Sequence, residues 1–396
     1  MTHGKLGETA RARIVLEDGT IFYGRSFGAE GSSFGEIVFN TSLTGYQEIL
    51  TDPSYAGQVV VLTASQVGNY GVSFEDDESE RAWLSGLIVR EHSRITSNFR
   101  SEKGLDAWLK ERGIVAIDDV DTRALTRRIR DHGEQRVLLT TVSDASDEEL
   151  VAQVRASTGL VGHDWISEVT RSQVGVWTPG YESSFAPRTL LDHEHQEPKA
   201  ASLRVTAIDC GIKRNILRSL VQAGFSVHVV PARISPADIL ALEPHGLFLS
   251  NGPGDPAAAP WLVETVRELV LEHQLPTFGI CLGHQILAQV FGAKTYKMAF
   301  GHHGGNHPVR DCRTGRIAIT SQNHSFAVDE ASLPSSVEVS HRNLNDGTIE
   351  GIRHRELSAW SIQHHPEAAP GPHDSLHHFA EWRSMLEALV AQTAAD

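Results

Sequence analysis
The sequence predicts a carboxy-terminal α/β domain on a doubly wound, mostly parallel sheet, preceded by an amino-terminal domain of mixed α+β type. Three observations predict it. Strand-like and helix-like runs alternate four times between residues 204 and 291, the pattern of a parallel sheet covered by helices on both faces. The first 170 residues contain strands and helices without that alternation. Between the two lies 171–201, where Pro179, Pro187 and Pro198 interrupt polar sequence such as Asp192-His193-Glu194-His195-Gln196-Glu197, a composition suited to a linker. The boundaries are therefore drawn at 1–170, 171–201 and 202–392.

In the first part, Arg13-Ile14-Val15-Leu16 and Ile21-Phe22-Tyr23 flank Glu17-Asp18-Gly19-Thr20. Two apolar runs around Asp-Gly predict a hairpin. Residues 36–40 and 58–62 are β-branched runs that read as further strands. Residues 104–112, 121–131 and 147–157 carry helical spacing. These elements make a mixed layer and not a βαβ series.

In the second part, strands are expected at 204–208, 225–230, 246–249 and 276–280. Helices are expected at 213–223, 236–242, 261–273 and 283–291. A site in such a sheet belongs at the carboxyl ends of the strands.

The chain has 396 residues, 40% hydrophobic and 21% charged, enough for two or three domains with buried cores. A formal net charge of −15 disfavours nucleic acid as a partner, since phosphate contacts need clustered Lys and Arg. No run approaches the length of a membrane span, and the amino terminus lacks the apolar core of a signal peptide. Cys210, Cys281 and Cys312 are too few and too scattered for a disulfide framework or a thiolate zinc site. A reducing, cytoplasmic setting is expected.

Cys281 follows the strand expected at 276–280 and precedes a helix, within Gly279-Ile280-Cys281-Leu282-Gly283. This is the spacing of a sharp strand-to-helix elbow, whose flanking glycines leave room for the turn. The helix N-terminus favours negative charge on the sulfur, and the Leu282 N–H is placed to bind an oxyanion. A buried structural cysteine is the alternative here, and the reading adopted for Cys210 and Cys312. A cysteine nucleophile needs a base, and the base a partner that fixes its tautomer. Gln363-His364-His365-Pro366-Glu367 offers both: in extended backbone His365 and Glu367 share a face and His364 points away. A solvated His–Glu pair is the competing reading. Asn251-Gly252-Pro253-Gly254-Asp255-Pro256 follows another strand end, and its backbone N–H groups could complete an oxyanion hole or form a plain loop. His302-His303-Gly304-Gly305-Asn306-His307 reads as a tight turn. No carboxylate or cysteine stands near it in sequence, so no metal is expected. His377-His378 reads as helix surface.

Phe278-Gly279-Ile280-Cys281-Leu282-Gly283-His284-Gln285 together with His365-Pro366-Glu367 resembles the class I glutamine amidotransferases. A narrower set resembles the small subunits of carbamoyl-phosphate synthetases. It comprises residues 39–48 (Phe-Asn-Thr-Ser-Leu-Thr-Gly-Tyr-Gln-Glu), Thr51-Asp52-Pro53-Ser54-Tyr55, Ser97-Asn98-Phe99-Arg100, Asp121-Thr122-Arg123, Lys213-Arg214-Asn215-Ile216 and residues 367–374. The resemblance spans residues 14–389.

It implies a glutaminase in which Cys281 attacks the side-chain amide of glutamine, His365 donates a proton to the departing ammonia, and Glu367 orients His365. By matching positions it implies that Ser54, Gly252, Gly254, Leu282, Gln285, Asn323, Ser325 and Phe326 hold L-glutamine. Ser54, from the amino-terminal part, would place glutamine near the domain interface. The resemblance also implies a large-subunit partner that carries ATP and Mg²⁺, with no cofactor in this chain. That partner turns ammonia into carbamoyl phosphate for arginine and pyrimidine synthesis. Three departures stand out: Ser325 replaces the family's usual glycine, His364 its usual phenylalanine, and Ala64-Ser65-Gln66-Val67-Gly68-Asn69-Tyr70 lacks a proline often found before the Gly-Asn segment. The alternatives are another cysteine-dependent amidotransferase or γ-glutamyl hydrolase of the same fold, and a non-catalytic scaffold subunit.

Overall fold
The structure, a computed structural model, describes residues 11–142, 144–181 and 203–393. It divides into two compact units, Met1–Thr51 with Gly57–Leu160, and Asp52–Ala56 with Val161–Asp396. The short segment around Ser54 therefore packs as part of the second unit.

The first unit is a closed barrel. Its strands are β1 (Arg11–Leu16), β2 (Ile21–Gly28), β3 (Ser32–Asn40), β4 (Gln58–Leu62), β5 (Gly86–Ile88), β6 (Val115–Asp118) and β7 (Arg136–Thr140), closed in the order β1-β2-β6-β5-β4-β3-β7. The expected hairpin joins β1 to β2. Gly19 turns it at φ 93°, a conformation that glycine adopts without a Cβ penalty. The expected helices are present as Leu105–Glu111, Thr122–His132 and Asp147–Ala156, the last opened by a Ser146/Glu149 capping box. The strands β3, β4, β5 and β6 run parallel to one another, which the sequence reading did not foresee. The three-residue β5 is too short to leave a periodic signal.

The second unit carries a ten-stranded sheet. It contains β8 (Gly175–Trp177), β9 (Leu203–Asp209), β10 (Phe225–Pro231), β11 (Gly246–Leu249), β12 (Thr277–Ile280), β13 (Thr295–Asp311), β14 (Ile317–Val328), β15 (Val337–Asn343), β16 (Ile349–His354) and β17 (Ala359–Ile362). Their order is β14-β13-β15-β16-β17-β12-β11-β9-β10-β8. The centre, β10-β9-β11-β12-β17, is parallel throughout. Alternation along each strand feeds two cores. Ile208, Val230, Leu247 and Leu249 pack with helices Pro236–Leu240, Pro260–Arg267 and Leu282–Val290. Ala207, Val229, Phe248 and Phe278 pack with helices Arg214–Gln222 and His377–Thr393. The second core is aromatic: Phe278 stacks on Trp360 with centroids 4.2 Å apart, and Trp382 lies 5.6 Å from Phe278.

Three local readings change. The strand β8, inside the stretch read as linker, pairs antiparallel with β10; 182–202 lies outside the described residues. The histidine-rich stretch 302–307 is not a turn but the irregular middle of β13, paired to β14 with one register shift before His302 and another between Gly304 and His307. Its glycines accommodate bulges in a continuous strand. His378 is not helix surface: it is buried beside Trp360 and His364. Among the described residues no helix is long and apolar enough to cross a membrane.

Candidate active site
The elbow at Cys281 is built by close packing. Cys281 has φ 55° and ψ −106°, a strained conformation for a side chain with a Cβ, between the end of β12 and the first turn of helix Leu282–Val290. Its N–H donates to Ile362 O of β17 at 2.9 Å, and the Gly283 N–H to Ser250 O beyond the end of β11 at 3.0 Å. A Cβ on Gly279 would lie 2.7 Å from Gly283 O, and one on Gly283 would lie 2.2 Å from Leu249 O. Both glycines are thus required by approach of backbone to backbone. The Leu282 N–H is at the first helical position, where no intrahelical acceptor exists.

The turn after β11 sits against this elbow. A Cβ on Gly252 would meet Cys210 O at 2.1 Å and the Leu282 side chain at 2.7 Å, and Gly254 takes φ 86° against Trp165. Cys210 is itself sealed, its thiol pushed up by burial, and Cys312 is exposed. Cys281 stands beside a base.

That base is His365. Its N–H donates to Ser321 O at 2.9 Å, an isolated bridge to β14. Pro366 and Glu367 then form a turn and not the extended run expected, yet the turn still brings the pair together, with His365 Nδ1 2.7 Å from Glu367 Oε1. Both side chains are buried, so the pair is not a solvated one. His365 Nε2 is buried without a conventional hydrogen-bond partner, within electrostatic reach of Cys281. Burial opposes charge on His365, but Glu367 and then Cys281 outweigh it and raise its pKa to about 10. Burial likewise opposes charge on Glu367, and Lys213 and then His365 outweigh it, holding the carboxyl at about 2. The geometry is that of an imidazolium clamped at Nδ1, with Nε2 left for proton transfer at the sulfur.

The role of Lys213 is not legible in the sequence. Its Nζ donates to Glu367 Oε1 at 2.8 Å and to Ala369 O at 2.7 Å, both side chains sealed from water. Lysine almost never buries fully unless paired, and here the partner is the orienting carboxylate.

The expected glutamine-binding residues are linked around this centre. Asn323 O lies 3.5 Å from Cys281 Sγ. Gln285 donates from Nε2 to Phe326 O at 2.8 Å and to Gln363 Oε1 at 3.0 Å. Ser325 is buried on β14 and has no positive φ, so serine fits there without backbone strain. Ser54 Oγ accepts from Asn251 Nδ2 at 2.9 Å. His364 is buried, away from His365, with its Nδ1 3.7 Å from Glu350 Oε2.

Two further residues escaped the sequence reading. Asp52 accepts from Asn323 Nδ2 at 2.8 Å through Oδ2 and from Ser54 N at 2.9 Å through Oδ1. His303 Nδ1 stands 3.0 Å from Asn323 Oδ1. The Asn323 amide is gripped at both ends, which fixes its orientation. The only sequence signal for Asp52 was its place in Thr51-Asp52-Pro53.

Residues 14–139 match the family model described as carbamoyl-phosphate synthase small chain, CPSase domain, and residues 206–384 match that of glutamine amidotransferase class-I. The chain is 49% identical over 379 residues to the carbamoyl phosphate synthase small chain of Chlorobaculum tepidum, covering 96% of this chain and 98% of that one. It is 49% identical over 376 residues to the chloroplastic small chain of Arabidopsis thaliana, covering 95% and 85%. With the small chain of Escherichia coli the identity is 47% over 376 residues, covering 95% and 97%.

Proposed function
The chain belongs to the carbamoyl phosphate synthase small chain family, the glutaminase subunits with a class I glutamine amidotransferase domain, and on that premise we propose that it hydrolyses L-glutamine to glutamate and ammonia through Cys281, His365 and Glu367. The observation that carries this reading is the buried His365–Glu367 pair beside a cysteine held at positive φ on a strand-to-helix elbow.

The steps follow from the residues. The Cys281 sulfur adds to the δ-carbonyl carbon of glutamine. The Leu282 N–H and the Gly252–Gly254 turn stabilise the oxyanion; one such donor is worth about 10²–10³ in rate. His365, charged at Nε2, gives its proton to the amide nitrogen as the C–N bond breaks, and ammonia leaves. The γ-glutamyl thioester then takes up water, with neutral His365 accepting its proton, and glutamate departs. Glu367 keeps Nδ1 as the protonated donor throughout. Ser54, Gly252, Gly254, Leu282, Gln285, Asn323, Ser325 and Phe326 hold the substrate in this reading.

The ammonia passes to a large-subunit partner that carries ATP and Mg²⁺ and makes carbamoyl phosphate for arginine and pyrimidine synthesis. A reducing, cytoplasmic location accords with three free cysteines. The test is glutamate release from glutamine by this chain alone, and with the large subunit, ATP and bicarbonate. A marked rise with the partner, accompanied by carbamoyl phosphate, is expected. Release indifferent to the partner would make the chain a free-standing hydrolase of the same fold. No release under either condition would make it a scaffold.

A further inference from the structure
A buried cluster stands behind the glutamine-pocket stretch of β14. His302 of β13, His324 of β14 and Glu350 of β16 each offer a ligand atom, and these atoms all lie within 4.8 Å of one another. The three residues are 4%, 6% and 0% exposed. No completed ligand set is visible along the chain, because Glu350 reaches the histidines across strands.

The surrounding hydrogen bonds sort the ring nitrogens. His302 Nε2 is 2.8 Å from Asp346 Oδ2, a carboxylate behind the ring, which leaves Nδ1 facing inward 3.8 Å from Glu350 Oε1. Ligand atoms around a tetrahedral zinc with bonds of about 2.0–2.1 Å stand about 3.4 Å apart, close to that spacing. A carboxylate on the outer nitrogen is the usual partner of a metal-bound imidazole. His324 Nδ1 is 2.8 Å from the Phe326 carbonyl and can only donate to it, leaving Nε2 as the inward atom.

At Nε2 the structure contains a conflict. That nitrogen is 3.1 Å from Gln322 Oε1. The Gln322 amide cannot be turned round. Its Nε2 donates to Glu350 Oε2 at 2.9 Å and to Thr320 Oγ1 at 3.0 Å, and the Thr320 hydroxyl has already given its proton to His307 O. A lone pair on His324 therefore meets a lone pair on Gln322, with the Glu350 carboxylate alongside. A cation in that space removes the conflict. Asn343 Nδ2, donating to Glu350 Oε1 at 2.8 Å, holds the carboxylate in place.

We propose that His302, His324 and Glu350 bind a divalent transition-metal ion of the zinc type, tying β13, β14 and β16 together behind Asn323, Ser325 and Phe326. Two imidazoles and a carboxylate are the donor set such an ion takes. The ion is structural: it stiffens the strand that walls the glutamine pocket and takes no part in the reaction at Cys281. The inference does not rest on glutamine hydrolysis.

The test uses the full chain as the Cys281→Ser variant, which removes the active-site thiolate as a rival zinc ligand. After metal stripping, zinc titration followed by desalting and elemental analysis is expected to retain one zinc per chain, with a higher Tm than the stripped protein. Cobalt in place of zinc is expected to give the visible bands of a tetrahedral nitrogen–oxygen site without a sulfur charge-transfer band. Glu350→Gln and, separately, His302→Asn on the same background are expected to lose the ion. Should both variants fail to fold, the cobalt spectrum of Cys281→Ser alone decides. No retained zinc and no cobalt spectrum would overturn the proposal and leave a proton on His324 to close the contact. Retention by a folded Glu350→Gln would place the ion elsewhere and overturn it equally. Failed glutamate release by the parent chain, with zinc retained by Cys281→Ser, would count against the glutaminase reading alone.

Discussion

Lys213 Nζ and Glu367 Oε1 form a buried ion pair 2.8 Å long, so the carboxylate that orients His365 is itself anchored by a lysine from the amino end of helix Arg214–Gln222. Removing one partner of a buried pair leaves the other charge uncompensated, at a cost of about 3–5 kcal/mol. Lys213→Met is expected to lower Tm and to slow glutamate release, while ammonia-dependent carbamoyl phosphate synthesis in the assembled complex persists. Parallel assays with glutamine and with ammonium salt read the split; equal loss in both would assign Lys213 to the fold alone.

Cys281→Ser is expected to abolish glutamine-dependent synthesis and leave the ammonia-dependent reaction. The hydroxyl is a far weaker nucleophile at neutral pH. A glutamine analogue that alkylates thiols should label Cys281 and spare buried Cys210 and exposed Cys312. Equal labelling of all three would remove the case for an activated site.

The His365–Glu367 pair carries a pH signature. Glu367, depressed from 4.5 to about 2, stabilises the fold above the unfolded value, and that contribution disappears as pH falls through about 2. His365, raised from 6.5 to about 10, stabilises it below 6.5, and that contribution disappears as pH rises through about 10. The stability gap between the parent and Glu367→Gln should therefore be widest between about pH 4.5 and 6.5 and narrow on both sides. Urea unfolding from below pH 4.5 to well above pH 6.5 measures it; a gap constant across that wider span would mean the pair is not ionised as described.

Asp52 links Ser54 to Asn323 through its two oxygens. Asp52→Ala removes the acceptor for both, and hydrogen bonds to charged groups contribute roughly 1.5–3 kcal/mol. The KM for glutamine is expected to rise about tenfold or more with a smaller change in kcat. Steady-state kinetics in the complex distinguish this from a fall in kcat alone, which would argue that Asp52 does not shape the pocket.

Gly283→Ala drives a Cβ to 2.2 Å from Leu249 O, a backbone atom that has no flexible end to move aside. Overpacking of this kind costs about 1–3 kcal/mol and must move the elbow. Slower thiol labelling of Cys281 is expected even if the protein remains folded; unchanged labelling would show that the turn has slack.

The central sheet was legible because its strands alternate with helices long enough to register, and the elbow because Gly279, Cys281 and Gly283 are contiguous in sequence. The proximity of His365 to Glu367 was legible for the wrong local reason: a turn and not a strand joins them. What sequence could not convey was distance across strands. Lys213 meets Glu367 from 154 positions away, Asp52 meets Asn323 from 271, and Glu350 meets His302 from a separate strand. The irregular β13 hid its strand character behind Gly304 and Gly305, whose bulges break the period-two pattern that marks a strand.

The backbone of Cys281, at φ 55°, suits glycine better than any residue with a side chain. Glycine at that position would relax the turn and is expected to give a sturdier molecule than serine or alanine would. Thermal robustness and chemistry are therefore opposed at a single residue. A library of this chain selected only for heat tolerance would be enriched in variants that have discarded the proposed nucleophile.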